Sequence, residues 1–165
     1  MDFRPMRRAR QALDAEQIEA ILRRGSAGTL AVLGDGGWPY AVPLSYVYHS
    51  GRIYFHCAKS GHKLDAIRAC DRASFCVIDK NEIVPAEFTT YYRSAIVFGR
   101  ARIVEDAEER MAAMRALAAK YSPRESEDAF RIELKVSGSA SLCVVALDIE
   151  HMSGKQAKEL IGKAE

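Results

Sequence analysis

The sequence predicts a mainly β protein, a small antiparallel barrel of about six strands with helices at its flanks. Apolar runs with a period of two, rich in β-branched and aromatic residues, recur along the chain. Turn signals stand between them, Gly-rich hairpin turns at 34–37 and 49–51 among these. Helical apolar spacing is confined to the ends and to a few connections. No repeating β-α-β unit occurs, which argues against a Rossmann-like sheet. Neither G-x-G-x-x-G nor G-x-x-x-x-G-K-[ST] is present.

The elements follow in order. Asp14 and Gln17 have the spacing of a capping box, with Ile18, Ile21 and Leu22 on one helical face and Gly25 as the stop. Residues 28–33 read as a strand, and Gly34-Asp35-Gly36-Gly37 as a hairpin turn. Residues 38–48 read as one long strand, alternating Tyr40, Val42, Leu44, Tyr46 and Tyr48 against smaller neighbours. His49-Ser50-Gly51 turns the chain into a strand ending at Cys57. A short helix over 63–70 leads to a buried strand over 73–79. Residues 81–88 read as an irregular connection broken by Pro85. A long strand spans 89–105, with a bulge expected at Gly99. Residues 106–121 form a helix with Met111, Met114, Leu117 and Ala118 facing inward. The polar stretch 122–140 holds a second short helix before Gly138, and 141–149 is the last strand.

One domain covers 1–165, with a basic arm over 1–12 and a tail over 152–165. A chain of 165 residues buries enough surface to fold without a disulfide or metal. Its hydrophobic share of 48% and charged share of 28% are ordinary for a globular domain. A net charge of +2 argues against a nucleic-acid partner. No apolar run approaches the ~18 residues that span a bilayer, and no apolar segment follows Arg7-Arg8 to make a secretory signal. Cys57, Cys70, Cys76 and Cys143 lack C-x-x-C spacing and read as reduced thiols, which fits a reducing cytoplasm. His49, His56, His62 and His151 show no metal-ligand spacing, so no metal is expected.

The segment Ala58-Lys59-Ser60-Gly61-His62-Lys63 is the most informative. It lies where a strand ends and a helix begins, and its charge has the wrong sign for a helix start. That position carries partial positive charge and unpaired N–H groups and favours Asp or Glu. A bound anion, most naturally a phosphate, reverses the cost of Lys59, His62 and Lys63 there.

In this order of elements and motifs the chain resembles the pyridoxamine 5′-phosphate oxidase-like split-barrel flavoproteins, and within them the nitroimidazole-reductase branch. The residues that carry the resemblance are Met6-Arg7-Arg8, Ala41-Val42-Pro43-Leu44-Ser45-Tyr46, Ile53-Tyr54-Phe55-His56-Cys57-Ala58, Gly61-His62-Lys63, Phe88-Thr89-Thr90-Tyr91-Tyr92-Arg93-Ser94 and the stretch from Ile149 to Lys155. The resemblance implies a six-stranded antiparallel split β-barrel with FMN held non-covalently at the interface of a homodimer. By position, Val42, Pro43, Leu44 and Ser45 lie along the isoalloxazine ring. Phe55 and His56 border the ribityl chain, His62 and Lys63 grip the phosphate, and Ala58 and Gly61 belong to the same cofactor-binding stretch. Arg93 and Ser94 reach the cofactor from the long strand, with Arg93 as a donor near the ring. His151 lies in the C-terminal segment that closes over the flavin. Where the oxidase has Arg beside the Lys, this chain has His62, and its substrate-phosphate residues have no counterpart here. The implied activity is therefore NAD(P)H-dependent reduction of small acceptors such as nitroaromatics, with the flavin carrying the electrons. No catalytic side chain is assigned. The alternatives are a non-catalytic flavin-binding or redox-sensing module, or the same fold holding haem or a deazaflavin, with His151 as a candidate axial ligand for haem.

Overall fold

The structure, a computed structural model, describes residues 3–136 and 142–162. The expected helix stop at Gly138 and the expected strand start at 141 lie outside these residues, as do the outermost residues of the arm and tail. In chain order the main elements are α1 (Ala15–Arg24), β1 (Ala27–Leu33), β2 (Pro39–Ser45), β3 (Val47–His49), β4 (Arg52–Ala58) and α2 (His62–Ala69). They continue with β5 (Arg72–Val84), β6 (Thr89–Ile103), α3 (Ala107–Tyr121), α4 (Glu127–Val136) and β7 (Leu142–Gln156). The strands form one antiparallel sheet in the order β2-β1-β5-β6-β7-β4-β3.

This sheet has seven strands rather than about six. The run read as one strand over 38–48 divides at Tyr46, where the chain leaves its pairing with β1 and takes up pairing with β4. β2 and β3 stand at opposite ends of the strand order, yet Tyr46 alone separates them in sequence. The sheet is thus rolled up and joined at its two ends by a single residue.

Period-two alternation fills the interior, as the pleat requires. Leu30 and Val32, Ile53 and Phe55, Phe75 and Val77, Ala95 and Val97, and Val145 and Leu147 all point into one core. α2 adds Leu64, Ala66 and Ile67 to it, and α1 adds Ile18, Ile21 and Leu22. The capping box that starts α1 is complete: Gln17 N donates to Asp14 Oδ1 at 2.8 Å, and Asp14 N to Gln17 Oε1 at 3.0 Å. A second cluster lies outside the barrel, where α3 lays Ala113 and Leu117 over Tyr54, Val144 and Ala146. Met111, expected to face inward, is 41% exposed, because the inward row of α3 runs through 113 and 117.

Three other expectations changed. β5 runs on to Val84 instead of breaking into a loop, since residues 81–84 pair with 89–92, and Pro85 opens the short 3-10 turn Pro85–Glu87 of a hairpin. β7 continues to Gln156 rather than ending at Ile149, so 152–156 is strand. The bulge expected at Gly99 is present, but the extra residue is Glu150 on β7, between Ile149 opposite Gly99 and His151 opposite Phe98. A Cβ at position 99 would strike the Asp148 carbonyl, so only glycine fits this crossing.

Ion pairs tie the outer surface. The Arg102 guanidinium bonds Glu109 at 2.7 Å and Asp148 at 2.6 Å, and Arg52 also bonds Asp148. The Arg102 bond, with a further one from Tyr54, holds the Glu109 carboxyl below its ordinary range. Burial acts to raise Asp148, but the hydrogen bonds from Arg102 and Arg52 outweigh it and lower this carboxyl too.

Candidate functional site: the split between two strand edges

β2 pairs with β1 on one side and, among the described residues, has no strand on the other. β4 is covered by β3 only over residues 52–54, which leaves 55–58 open on that side. These two open edges diverge from Tyr46 and form the walls of a split. Strand edges carry N–H and C=O groups that need partners, so the split is a polar slot lined by backbone. Along β2, Tyr40 to Ser45 covers about 17 Å at ~3.4 Å per residue.

The structure sorts the expected site residues by face. Val42 and Leu44 turn inward against the core, while Pro43 and Ser45 are exposed. Phe55 is fully buried behind the wall of β4, whereas His56 and Ala58 face solvent. Ser45 and His56 border a common cleft of about 1110 Å³, whose other walls come from α3 and α4.

At the far end of the split stands the start of α2. Its N-cap is Gly61 at φ 132° and ψ 163°, backbone that glycine adopts without strain, and no side chain caps the helix. Leu64 N already donates to Gly61 O at 2.9 Å, so the amides that an anion could meet are those of His62 and Lys63. Lys63 is half-buried beside them. The His62 ring stacks on Tyr40 with centroids 4.1 Å apart, and its Nε2 lies 3.7 Å from Asp35 Oδ2. Next to this helix the Cys57 thiol is pushed up to about 11, chiefly by burial and then by Cys143, its direct partner across β4 and β7. Lys63 and Arg68 act in the opposite sense on the same thiol.

Three expected residues stand apart from the Ser45–His56 cleft. Arg93 Nε lies 3.6 Å from Asp79 Oδ2, and Asp79 also binds Arg24 through a two-toothed contact of 2.6 and 2.8 Å. Asp79 is itself the extra residue of a bulge opposite Arg93 and Ser94. Ser94 sits mid-sheet between Ile78 and Lys155. His151 is on β7, seven residues beyond the Val144 that faces His56, which is about 23 Å along a strand. Its ring stacks on Phe3 at 4.5 Å with planes 9° apart.

The sequence did not single out Tyr40, the platform under His62, or Tyr121, whose hydroxyl reaches the Tyr46 backbone. Tyr40 was visible only as one aromatic among several on an alternating strand. The Tyr121 contact links residues 75 positions apart and leaves no local signal. Among the described residues, no group of three or more His, Cys, Asp and Glu is placed to hold a metal ion, and no helix is long and apolar enough to cross a membrane.

A rolled antiparallel sheet with flanking helices, open along one seam, defines the split-barrel class. The family model described as pyridoxamine 5′-phosphate oxidase matches residues 14–156, and the chain belongs to that family. No curated protein matches the chain. Among solved structures it is similar to a candidate 5-nitroimidazole antibiotic resistance protein from Bacteroides thetaiotaomicron, at 22% identity and TM-score 0.70 over 88% of this chain and 86% of that one. A conserved hypothetical protein from Mycobacterium tuberculosis superposes with TM-score 0.80 at 18% identity, over 98% and 96% of the two chains. An FAD and haem binding protein from Mycobacterium smegmatis gives TM-score 0.70 at 20% identity, over 90% and 74%. At these identities the likeness is one of fold.

Proposed function

We propose that this chain is a flavoprotein that holds FMN in the split, acts as a homodimer, and passes electrons from NAD(P)H to small acceptors such as nitroaromatics. The observation that carries the reading is the convergence of two open strand edges with an uncapped helix start bearing Lys63. Lys63 and the first amides of α2 hold the phosphate, with Gly61 keeping the approach clear of side chain. His62, leaning on Tyr40, is a second donor beside it. Unpaired backbone groups around Pro43 and Ser45 meet the polar rim of the ring, while Val42, Leu44 and Phe55 stiffen the walls from behind. When bound, the flavin supplies two-electron redox chemistry, and the protein's part is to bind, orient and exclude water. FMN is favoured over FAD because the cations at α2 form one compact set, suited to a single phosphate.

The dimer reading rests on the hairpin between β5 and β6. Past Arg93, β6 pairs with β5 alone, and that two-stranded arm carries Ile83 at 72% and Phe88 at 98% exposure. An isolated two-stranded ribbon is marginal in water, so a second copy is the natural cover. A second copy also gives Arg93, Ser94 and His151 a route to a flavin they do not approach within one protomer. A reducing cytoplasm suits the free, directly opposed Cys57 and Cys143.

Haem is the second reading, because one similar structure is that of an FAD and haem binding protein. Against it stands Phe3, stacked flat on the His151 ring that would have to ligate iron. The purified protein is expected to show paired flavin bands, to release FMN rather than FAD on denaturation, and to bleach on anaerobic mixing with NADPH. Lys63→Glu is expected to abolish copurifying flavin. Full yellow colour in that variant overturns the phosphate assignment, and a ring that stays oxidised with NADPH favours a non-catalytic flavin module.

A further inference from the structure

β4 and β7 bring two cysteines face to face. Cys57 is the partner of Cys143 in the antiparallel register, one pair from the end of that ladder at Ala58 and Leu142. Facing residues of such a ladder have Cα atoms about 4.5–5.5 Å apart, within the ~4.4–6.8 Å that a disulfide bridges. Both side chains lie on the inner face, where Cys143 belongs to the core and Cys57 packs against it. Phe55 and Val145, the next pair on that face, sit in the same core. Both thiols are free, and Cys143 acts on the Cys57 thiol through charge and a side-chain hydrogen bond. The other two cysteines are placed differently. Cys76 faces Thr29 and Ile96, and Cys70 caps the end of α2.

We infer that Cys57 and Cys143 form a dithiol site for hydroperoxides, oxidised to an intramolecular disulfide that ties β4 to β7 just before the chain enters α2. Cys57 is the less buried of the two and meets the oxidant first. Its sulfur attacks the O–O bond of hydrogen peroxide, which breaks to leave a sulfenic acid on Cys57 and release one water. The Cys143 sulfur then attacks the Cys57 sulfur. The S–S bond forms, the S–O bond breaks and a second water leaves. The two thiols lose two electrons and two protons, and one peroxide becomes two waters. The dithiol is the resting form, since burial and the facing sulfur favour the protonated Cys57 thiol over the opposite pull of Lys63 and Arg68. Oxidation is therefore slow near neutral pH, which suits a site that answers sustained peroxide rather than traces of it. Strand ends are where a ladder opens most readily, so a covalent bond one pair from the end holds residues 55–58, the open wall of the split, in place. None of this depends on what occupies the split.

Treatment of the purified full chain with hydrogen peroxide, followed by intact mass and by peptide mapping without reduction, tests this. The wild type is expected to lose two hydrogen masses and to yield a peptide linking Cys57 to Cys143, both reversed by dithiothreitol. The double variant Cys70→Ser and Cys76→Ser is expected to form the same link. Cys143→Ser is expected to stop at a Cys57 sulfenic acid, trapped by dimedone, and to gain no thermal stability from peroxide. The oxidised wild type is expected to unfold about 5 °C or more above the reduced form. A wild type in which Cys57 and Cys143 stay reduced, or in which Cys57 goes on to sulfinic acid, overturns the inference. So does a link to Cys70, to Cys76 or to a second chain. Equal Tm for the oxidised and reduced forms overturns the bracing of the wall. A protein that purifies without flavin and still forms the link refutes the flavin reading and leaves the dithiol site standing.

Discussion

The Tyr121 hydroxyl lies 2.9 Å from the backbone N of Tyr46 and 2.7 Å from its carbonyl O, so one side chain serves both main-chain groups of the residue that joins the two ends of the sheet. The same hydroxyl is 2.6 Å from Ser26 O, and its single proton goes to one carbonyl at a time. Tyr46 is itself fully buried, and its own hydroxyl donates to Leu22 O at 2.9 Å. The crossing from β2 to β3 is therefore braced by the last residue of α3. Tyr121→Phe leaves the Tyr46 amide without its acceptor, at a cost of about 1–3 kcal/mol for a stranded buried group. Thermal unfolding is expected to show a Tm lowered by roughly 3–10 °C. A Tm within one degree of wild type would mean that the contact contributes nothing to the seam.

The hairpin arm yields a prediction about assembly. Phe88→Asp and Ile83→Asp place charge on surface that the dimer reading covers. Light scattering after size exclusion is expected to show dimer for the wild type and monomer for the double variant, with flavin lost in parallel. A double variant that stays dimeric, or a wild type that is monomeric, removes the arm from the interface.

Acid sensitivity follows from Arg102. Glu109 and Asp148 both have carboxyls lowered from 4.5 and 3.8 in the fold. A lowered folded-state value favours the fold above the unfolded value, and the benefit is lost as pH falls through the folded one. Stability is thus expected to be level above about pH 5 and to decline as pH drops below the ordinary carboxylate range. Arg102→Met should remove about 1–2 kcal/mol at pH 7, discounted for partial exposure, and flatten that decline. Urea unfolding of both proteins at pH 7 and pH 3.5 measures it, and parallel pH profiles would refute the assignment.

Cys57 gives a chemical readout near the split. With its thiol pushed up to about 11, only a small fraction is thiolate at pH 8. Alkylation by iodoacetamide is expected to be slow at pH 8 and to accelerate toward pH 11, followed residue by residue by mass spectrometry. Rapid labelling of Cys57 at pH 7 would show a thiolate stabilised by Lys63 instead.

Alternation and turn chemistry made most of the barrel legible. The capping box at Asp14, the strands through Leu30, Phe55, Phe75 and Val97, and the glycine at 99 all obey local rules that one sequence displays. The seam did not, because Tyr46 continues an alternating strand in sequence and changes partner only in three dimensions. Pro85 misled in a similar way: it marks the tip of a hairpin rather than a break, since pairing between 81–84 and 89–92 outweighs local propensity. At the candidate site, the cations around Gly61 were visible as a charge of the wrong sign. That Val42 and Leu44 face the core while Pro43 and Ser45 face out follows from the pleat. That α3 and α4 would form a second wall over His56 was not visible, because it depends on how the two helices are placed over the sheet in three dimensions.

Walls made of strand edge have a consequence for how such proteins diverge. Recognition through N–H and C=O groups is indifferent to which side chains the strands carry, so substitutions along β2 and β4 leave the slot's hydrogen-bonding alphabet unchanged. If the slot holds the flavin phosphate as proposed, the positions where backbone cannot do the work are few: the glycine that opens α2, the lysine beside it, and the residue that carries the chain from β2 to β3. A slot of this kind tolerates change in the side chains of its own walls as long as the two strand edges keep their backbone positions.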